Sequence, residues 1–450
     1  MTSPSHSPTM DDDKYGNDII RKISWRLIPF LVFSYILCFV DRVNLGFAAL
    51  TMNKEFGFSP TVFGWGAGIL FVGYFFFGVP SNLGLHKYGA RRWIAGIMII
   101  WGFVSTSMIF IQGTTSFFAI RFLLGAAEAG FFPGIILYLT LWFPSKYRGQ
   151  IVSRFMFAQP IALMLGSAVS GWLLEMDGVL GVAGWKWLFL LEGFPSSLIG
   201  IVALFFLTDL PAKALWLKPE ERNWLQTELD NECRSVEATS QAPHSLWETI
   251  ANGRVLLLCL IYVCMVIGVY GVNMWLPQIV KTFGNAGAGQ IGIVAAIPFL
   301  AASIGMLLIG ASSDRFQERK WHVTCSTLLA GTALVASAFT QQHQVLTILL
   351  LSISSIGMYG CMPIFWTIPP TFLTGTAVAA GIGFINAIGN LGGFLGPFLV
   401  GYIKDSTGSF ISGLLFLGGC TVLGSFLVYL VCKKAEASAP RTAEPVKATN

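Results

Sequence analysis

Charge is scarce in this chain. Of its 450 residues only 11% are Asp, Glu, Lys or Arg, whereas an ordinary soluble domain carries about 25%. That leaves too little polar surface to cover a water-soluble globule of this size. Other absences narrow the reading further. The eight cysteines contain no C-x-x-C pair, and six of them (Cys38, Cys259, Cys264, Cys325, Cys361 and Cys420) lie inside apolar runs, so neither a disulfide framework nor a zinc site follows. There is no P-loop, nucleophile elbow or metal-ligand spacing, so an enzymatic reading has no residues behind it and no metal or cofactor is expected. The string Gly287-x-Gly289-x-x-Gly292 spells a dinucleotide fingerprint, but it follows no strand and is expected in an external loop. Residues Met1 to Asn17 lack the apolar stretch of a signal peptide. With Asp11, Asp12 and Asp13 together, they read as a disordered cytoplasmic tail.

What is present is apolar length. Hydrophobic residues make up 54% of the chain and the mean hydropathy is +0.67. Reading apolar windows between polar breaks predicts twelve helices, each long enough to cross a hydrocarbon core of about 30 Å. They run over 27–50, 61–85, 93–112, 116–141, 149–174, 186–207, 255–280, 289–311, 322–340, 345–368, 375–402 and 410–432. With the N-terminus on the cytoplasmic side, tails, loops and span ends of that side hold 22 of the 28 Lys and Arg. The opposite loops hold four (Lys54, Lys186, Lys281 and Lys404), leaving Arg42 and Arg121 within spans. By the positive-inside rule both termini are then cytoplasmic. The net charge of +5 follows from this bias and does not point to nucleic acid.

The two halves are related. Pro133 and Pro363, Gly130 and Gly360, Gly166 and Gly396, Gly171 and Gly401, and Gly178 and Gly408 all differ by 230, as do Trp172 with Tyr402 and Glu175 with Asp405. A constant offset across two stretches indicates parallel six-helix repeats packed about an axis along the membrane normal, with a substrate path between them. The chain therefore divides into a cytoplasmic tail (1–26), a first six-helix bundle (27–207), a central cytoplasmic loop (208–253), a second six-helix bundle (254–432) and a cytoplasmic tail (433–450). Within the central loop, Pro219-Glu220-Glu221 reads as a helix start, with Trp224, Leu225 and Leu229 as an apolar edge.

Three constellations carry chemistry. The first span ends in Asp41-Arg42-Val43-Asn44. Adjacent helical positions point about 100° apart, so Asp41 faces a partner helix when Arg42 faces a cavity, and Asn44 stays on the side of Asp41. The fourth span holds Arg121-x-x-x-Gly125-x-x-Glu128, whose two charges lie two turns apart on one face, with Pro133 loosening the backbone beside Glu128. Charges inside a span are costly unless they face a wet or paired interior, which makes them functional candidates, although Arg121 could simply brace neighbouring helices. The third lies in the loop after span eight: Gly310-x-x-x-Asp314-Arg315-x-x-x-Arg319-Lys320. Its first-half counterpart, Asn82-x-x-x-His86-Lys87-Tyr88-Gly89-x-Arg91-Arg92, lacks the Gly and the Asp. A basic loop that serves topology alone is the alternative for both.

The loop motif resembles the cytoplasmic gating motif of the major facilitator superfamily. Asp41 to Ala48, the Arg121–Glu128 motif with its following Phe-Phe-Pro-Gly, and Gly184-Trp185-Lys186-Trp187-Leu188-Phe189-Leu190-Leu191-Glu192-Gly193 together resemble the anion:cation symporter family of that superfamily. The likeness covers nearly all the chain outside its tails and is closest to bacterial tartrate and 4-hydroxyphenylacetate permeases, then phthalate, nicotinate and galactonate carriers. It implies an all-α membrane protein of twelve transmembrane helices in the major facilitator fold, set in a bacterial inner membrane and working as a monomer. It also implies symport of a small organic anion driven by the proton motive force. Carried over by motif position, Asp41 and Glu128 bind protons and Arg42 engages the substrate carboxylate. His86, Arg91, Arg92, Asp314, Arg315 and Arg319 form the gating loops, with Arg121 structural. Asn44, Tyr74, Phe131, Gln159, Trp366, Thr367, Asn386 and Asn390 are expected to line the substrate path, although aromatics in such spans often face lipid or merely pack. An antiporter or exporter and a sugar-acid symporter are the alternatives within transport. Exporters usually carry a Gly-Pro-x-x-Gly-Gly-like run in the fifth span, where this chain has Gln159-Pro160-Ile161-Ala162-Leu163-Met164-Leu165-Gly166. A sensing receptor is the alternative outside transport, but no signalling domain is attached.

Overall fold

A computed structural model of the protein describes residues 10–239, 246–373 and 376–438. In these residues it is all helical. The first half comprises α1 (Met10–Phe56), α2 (Pro60–Tyr88), α3 (Ala90–Thr106), α4 (Thr114–Glu128), α5 (Phe131–Trp142), α6 (Ser145–Met156), α7 (Ala158–Leu174) and α8 (Gly184–Phe206). Two helices, α9 (Pro219–Thr239) and α10 (Leu246–Ala251), lie in the central segment. The second half comprises α11 (Gly253–Lys281), α12 (Ala288–Phe316), α13 (Lys320–Ala338), α14 (Gln344–Phe365), α15 (Thr376–Asn390), α16 (Gly392–Thr407) and α17 (Phe410–Ser438). Local sequence accounts for the starts. Ser59 accepts from Val62 N at 3.2 Å ahead of Pro60, and Asn252 accepts from Arg254 N at 2.9 Å, so side-chain oxygens satisfy otherwise orphaned amides.

Among the described residues, eleven stretches are long and apolar enough to cross a membrane. The twelfth expected span, 322–340, coincides with α13, a 19-residue helix made less apolar by Thr324, Ser326, Thr327 and Ser337. These hydroxyls do not face lipid: α13 is packed between α14 and α17, and Thr327 and Ser337 return their protons to backbone carbonyls at 2.7 Å. At 1.5 Å per residue α13 is about 28 Å long, close to the apolar thickness.

Two expectations are corrected. Three spans read as single helices are broken mid-way: at Ala129–Gly130, at Phe157 and at Leu391. Each break lies three to six residues before a proline (Pro133, Pro160 or Pro397), where the missing N–H and the ring clash free the backbone of the preceding turn. The N-terminal tail is also shorter than expected, because residues 10–17 already belong to α1. They are held by docking on α9. A Cβ on Gly16 would meet the Trp224 ring at 2.5 Å, and Lys22 Nζ reaches Glu221 Oε2 at 2.7 Å. Ile19, Ile20, Ile23, Leu27 and Leu31 continue a buried stripe at helical spacing. Although partial burial pushes the Glu221 carboxyl upward, the hydrogen bonds from Lys22 and from Lys218 N hold it below the ordinary Glu value.

The repeat is visible in the coordinates. Ala90 and Lys320, which open α3 and α13, are 230 apart, as are Thr114 and Gln344, which open α4 and α14. Gly178 and Gly408 both adopt left-handed backbone, with φ of 82° and 72°. The remaining matched positions explain how the halves meet. Gly171 on α7 abuts α12, where a Cβ would stand 2.6 Å from Ala288 O and 2.7 Å from Gly292 Cα. Gly401 on α16 abuts α2, where a Cβ would stand 2.3 Å from Pro60 O. One turn beyond each glycine comes a carboxylate. Glu175 accepts from Gly289 N at 3.0 Å, and Asp405 accepts from Thr61 N at 2.7 Å and from the Thr61 hydroxyl. Each half thus caps a helix start in the other. The glycine string 287–292 is therefore a helix-crossing seam. Lys281 Nζ also donates to Leu50 O at 3.0 Å, so the halves are tied together at the end away from the chain termini.

Candidate functional site

On the terminal side of these ties, between the halves, lies a cavity of about 80 Å³. Helix α1 gives it Tyr35, Cys38, Phe39 and Arg42, spaced so that they share one face. The broken fourth span gives Glu128, the last residue of α4, with Phe131 and Phe132 from the start of α5. Tyr74 comes from α2, and Met156 and Gln159 flank the break at Phe157. The second half supplies Tyr262, Val266, Val269 and Tyr270 from α11, Met362 and Trp366 at the end of α14, and Asn386 and Asn390 from α15. Arg42 is the one cation and Glu128 the one acid among the described lining residues.

These two charges are paired. Arg42 donates from Nε and from Nη2 to Glu128 Oε1, both at 2.8 Å, and the Cys38 thiol donates to the same oxygen at 2.6 Å. A third nitrogen, Arg42 Nη1, donates to the Tyr270 hydroxyl at 2.7 Å, which joins the halves across the cavity. The guanidinium lies 5.0 Å from the Phe39 ring centre and 5.8 Å from that of Tyr74. Both charged side chains are buried, at 9% and 3% exposure. At such sites an ion pair must be well hydrogen-bonded to persist, and losing either partner is costly.

Asp41 turns the other way, into the first bundle. It accepts from Trp101 Nε1 at 2.6 Å, Ser105 Oγ at 2.8 Å, Asn44 Nδ2 at 3.3 Å and Ser196 Oγ at 3.4 Å. Asn44 is fully buried beside it and does not line the cavity, because three residues along a helix keep it on the face of Asp41. Thr367 is also outside the cavity: it is exposed, and its hydroxyl returns to Ile364 O at 2.7 Å. Asn386 and Asn390 line it together, with Asn390 Nδ2 donating to Asn386 Oδ1 at 3.0 Å. Arg121, completely buried, donates from Nε to Gly66 O at 3.2 Å, while its two terminal nitrogens have no hydrogen-bond partner among the described residues. It shares a face with Glu128 as expected, yet the acid pairs with Arg42.

The loops at the terminal end are paired within their own halves. Arg319 meets Asp314 at 2.7 Å and Ser313 Oγ at 2.9 Å. In the first half, Asp209 after α8 takes the part of the acid missing from the motif, accepting from Arg91 N at 2.9 Å. Arg92 and Arg315 are exposed, and the side chains of Asn82 and His86 lie outside those described. Spacing did not reveal Asp209, since it is 118 residues from Arg91. Tyr35, Cys38, Phe39 and Tyr270 were also missed. The first three could have been found, because they stand at helical spacing from Arg42; Tyr270 looks like any other packing aromatic.

The sequence and the fold both have counterparts among known proteins. The family model described as Major Facilitator Superfamily matches residues 31–397 and 258–449. The chain belongs to that superfamily. A protein of Agrobacterium vitis named "Putative tartrate transporter" is 49% identical over 427 residues, covering 95% of this chain and 93% of that one. The "Quinolone resistance transporter" of Acinetobacter baumannii is 40% identical and covers 95% of this chain and 98% of its own length. "Inner membrane transport protein RhmT" of Escherichia coli is 39% identical, over 91% and 94%. Among solved structures, the xylose transporter XylE of E. coli in a partially occluded inward-open conformation superposes with a TM-score of 0.71 at 14% identity, covering 94% and 99%. The family match and these relatives make the chain a multi-pass membrane transporter of the major facilitator type, and the solved structure shares its all-α fold.

Proposed function

We propose that this protein is a proton-coupled symporter of small organic acid anions, in which Arg42 is the anion site and Glu128 a coupling proton site. The observation that carries the reading is the Arg42–Glu128 pair inside the cavity. A substrate carboxylate can take the guanidinium only when Glu128 lets go, and a proton on Glu128 removes the charge that holds it. Anion and proton therefore support each other's binding, which is the requirement of symport. An empty, deprotonated carrier keeps its charges paired, and a loaded one carries them paired with the substrate, so both can rock between the two faces of the membrane. Asp41, the other expected proton site, would act from behind the cavity.

With one cation at the site, the substrate should enter with one unpaired carboxylate. A hydroxy-carboxylate or aromatic monoacid satisfies this directly, and a diacid such as tartrate does so with its second carboxyl protonated or resting on the Gln159, Asn386 and Asn390 amides. The named tartrate relatives favour the hydroxy acids. The setting is a bacterial inner membrane with both termini cytoplasmic, a monomer as the working unit, and the proton gradient in place of any cofactor. In that orientation the ties between the halves seal the outside and the cavity belongs to the inside-closing end.

Export is the second reading, favoured by the relative named for quinolone resistance and by the aromatic wall. Radiolabelled uptake into cells expressing the chain, competed with a panel of organic acids, separates the two. Symport requires accumulation that rises as the outside is acidified and collapses with an uncoupler. Lower cell content in expressing cells than in controls would decide for export.

A further inference from the structure

Glu192 takes no part in the site described above, and its surroundings are unusual for a carboxylate. It stands eight residues into α8, about 12 Å along the helix from Gly184, and is only 4% exposed. One hydroxyl reaches it: Ser170 Oγ donates to Oε1 at 2.8 Å. Its other oxygen, Oε2, has no hydrogen-bond partner among the described residues. Ser196, one turn further along α8, donates to Asp41 Oδ2 at 3.4 Å. The Asn44 amide donates from Nδ2 to Asp41 at 3.3 Å, while its Oδ1 has no partner among the described residues. Asp41 on α1 and Glu192 on α8 thus belong to one contact between these two helices.

No described Lys or Arg forms an ion pair with either carboxyl. The groups that face them are Trp101 and Ser105 from α3, Ser170 from α7 and Ser196 from α8, all neutral. Arg121 and Glu128, both on α4, act on Asp41 through space with opposite signs. Two like charges at one helix contact inside a membrane are strongly unfavourable, so one of the pair must be neutral. The donors decide which. Four of them solvate Asp41 as a carboxylate, whereas Glu192 has one.

We propose that Glu192 is a proton-binding residue, and that Glu192 and Asp41, at the same contact between α1 and α8, hold one proton between them in a site behind the substrate cavity. With the proton resting on Glu192, the unpartnered Oε2 becomes a neutral hydroxyl in place of an unsolvated anionic oxygen. The pair titrates as a unit, so losing either member shifts the pH at which the proton leaves. That this is a transported proton, second to the one on Glu128, rests on the symport reading; that it is bound does not.

The two parts are tested separately. Infrared difference spectra of the purified, lipid-reconstituted protein at neutral pH should show the carbonyl stretch of a protonated carboxyl that disappears in Glu192→Gln. A wild-type spectrum that lacks this band, or a variant that keeps it, overturns the proposal whatever drives transport. In uptake assays, Glu192→Gln leaves Asp41 to titrate alone, so the pH of half-maximal proton-driven uptake should move toward acid by about one unit or more. Ser170→Ala removes the one donor to Glu192 and should move it the opposite way, which a merely structural role would not do. If Glu192→Gln does not insert, the Ser170→Ala shift alone decides. No shift in either variant overturns the transport part.

Discussion

At Arg42 three guanidinium nitrogens donate, two to one carboxylate oxygen and one to a phenol, in a wall of rings. On the proposed reading a planar fork suits this place, because it would exchange Glu128 for a substrate carboxylate without changing its own position. Arg42→Lys keeps the charge and loses the fork, and uptake should fall by about ten- to a hundredfold, the worth of one or two charge-assisted hydrogen bonds. Near wild-type uptake by the Lys variant would remove Arg42 from the anion site. At this scale the sequence is legible where a charge interrupts an apolar span, as at Asp41, Arg42, Arg121 and Glu128, because burial makes such residues conspicuous. It is less legible for neutral groups. Asn44 and Thr367 were expected at the substrate path and are not there, since an amide or hydroxyl in a span can be satisfied by its own helix or a neighbour. Tyr270 was overlooked for the converse reason: nothing in a tyrosine's spacing announces what its hydroxyl will meet.

At the scale of helices, the expected spans after the first and the observed ones begin within a few residues of each other, but the breaks inside spans four, five and eleven had no clear mark beyond the prolines that follow them. The breaks matter because they put Glu128, Gln159 and Asn390 at or beside helix ends that face the cavity. The pairing of Glu175 and Asp405 with helix starts in the opposite half was likewise invisible, although their common offset of 230 was plain. Sequence shows a repeat, and only the packing shows what the repeat touches. Both carboxylates are exposed, so each contributes modestly, and replacing them with Gln and Asn together should loosen this end by about 1 kcal/mol. That corresponds to roughly a fivefold larger population open at that end. Cys38, which lines the cavity, reports it in a variant stripped of other cysteines. An impermeant thiol reagent applied from outside should label Cys38 about fivefold faster in the Glu175→Gln, Asp405→Asn variant than in its parent. Equal rates would show that the two carboxylates do not hold this end shut.

At the scale of the whole molecule, the proposed orientation rests on the unequal distribution of basic residues. Single cysteines at 86 and 186, probed in intact cells with an impermeant reagent, should be labelled only at 186; labelling at 86 as well would contradict the orientation. The two halves share a fold and not a chemistry. Residue 358, the repeat-related partner of Glu128, is a methionine, and residues 271 and 272, the partners of Asp41 and Arg42, are glycine and valine. One half therefore carries the charges and the other supplies Tyr270 and the amide and aromatic wall, so a proton lost from the first half cannot be replaced by the second. This makes Glu128→Gln the most direct test of the account. Glutamine imitates a carboxyl that never releases its proton, so exchange of substrate across the membrane, which needs no deprotonation, should survive. Accumulation needs the proton to leave inside, and glutamine has none to release. In vesicles with an imposed pH gradient, the Glu128→Gln variant should carry out counterflow and fail to concentrate substrate. If it still concentrates substrate in response to the gradient, Glu128 is not a coupling site, and its contact with Arg42 is a fixed brace.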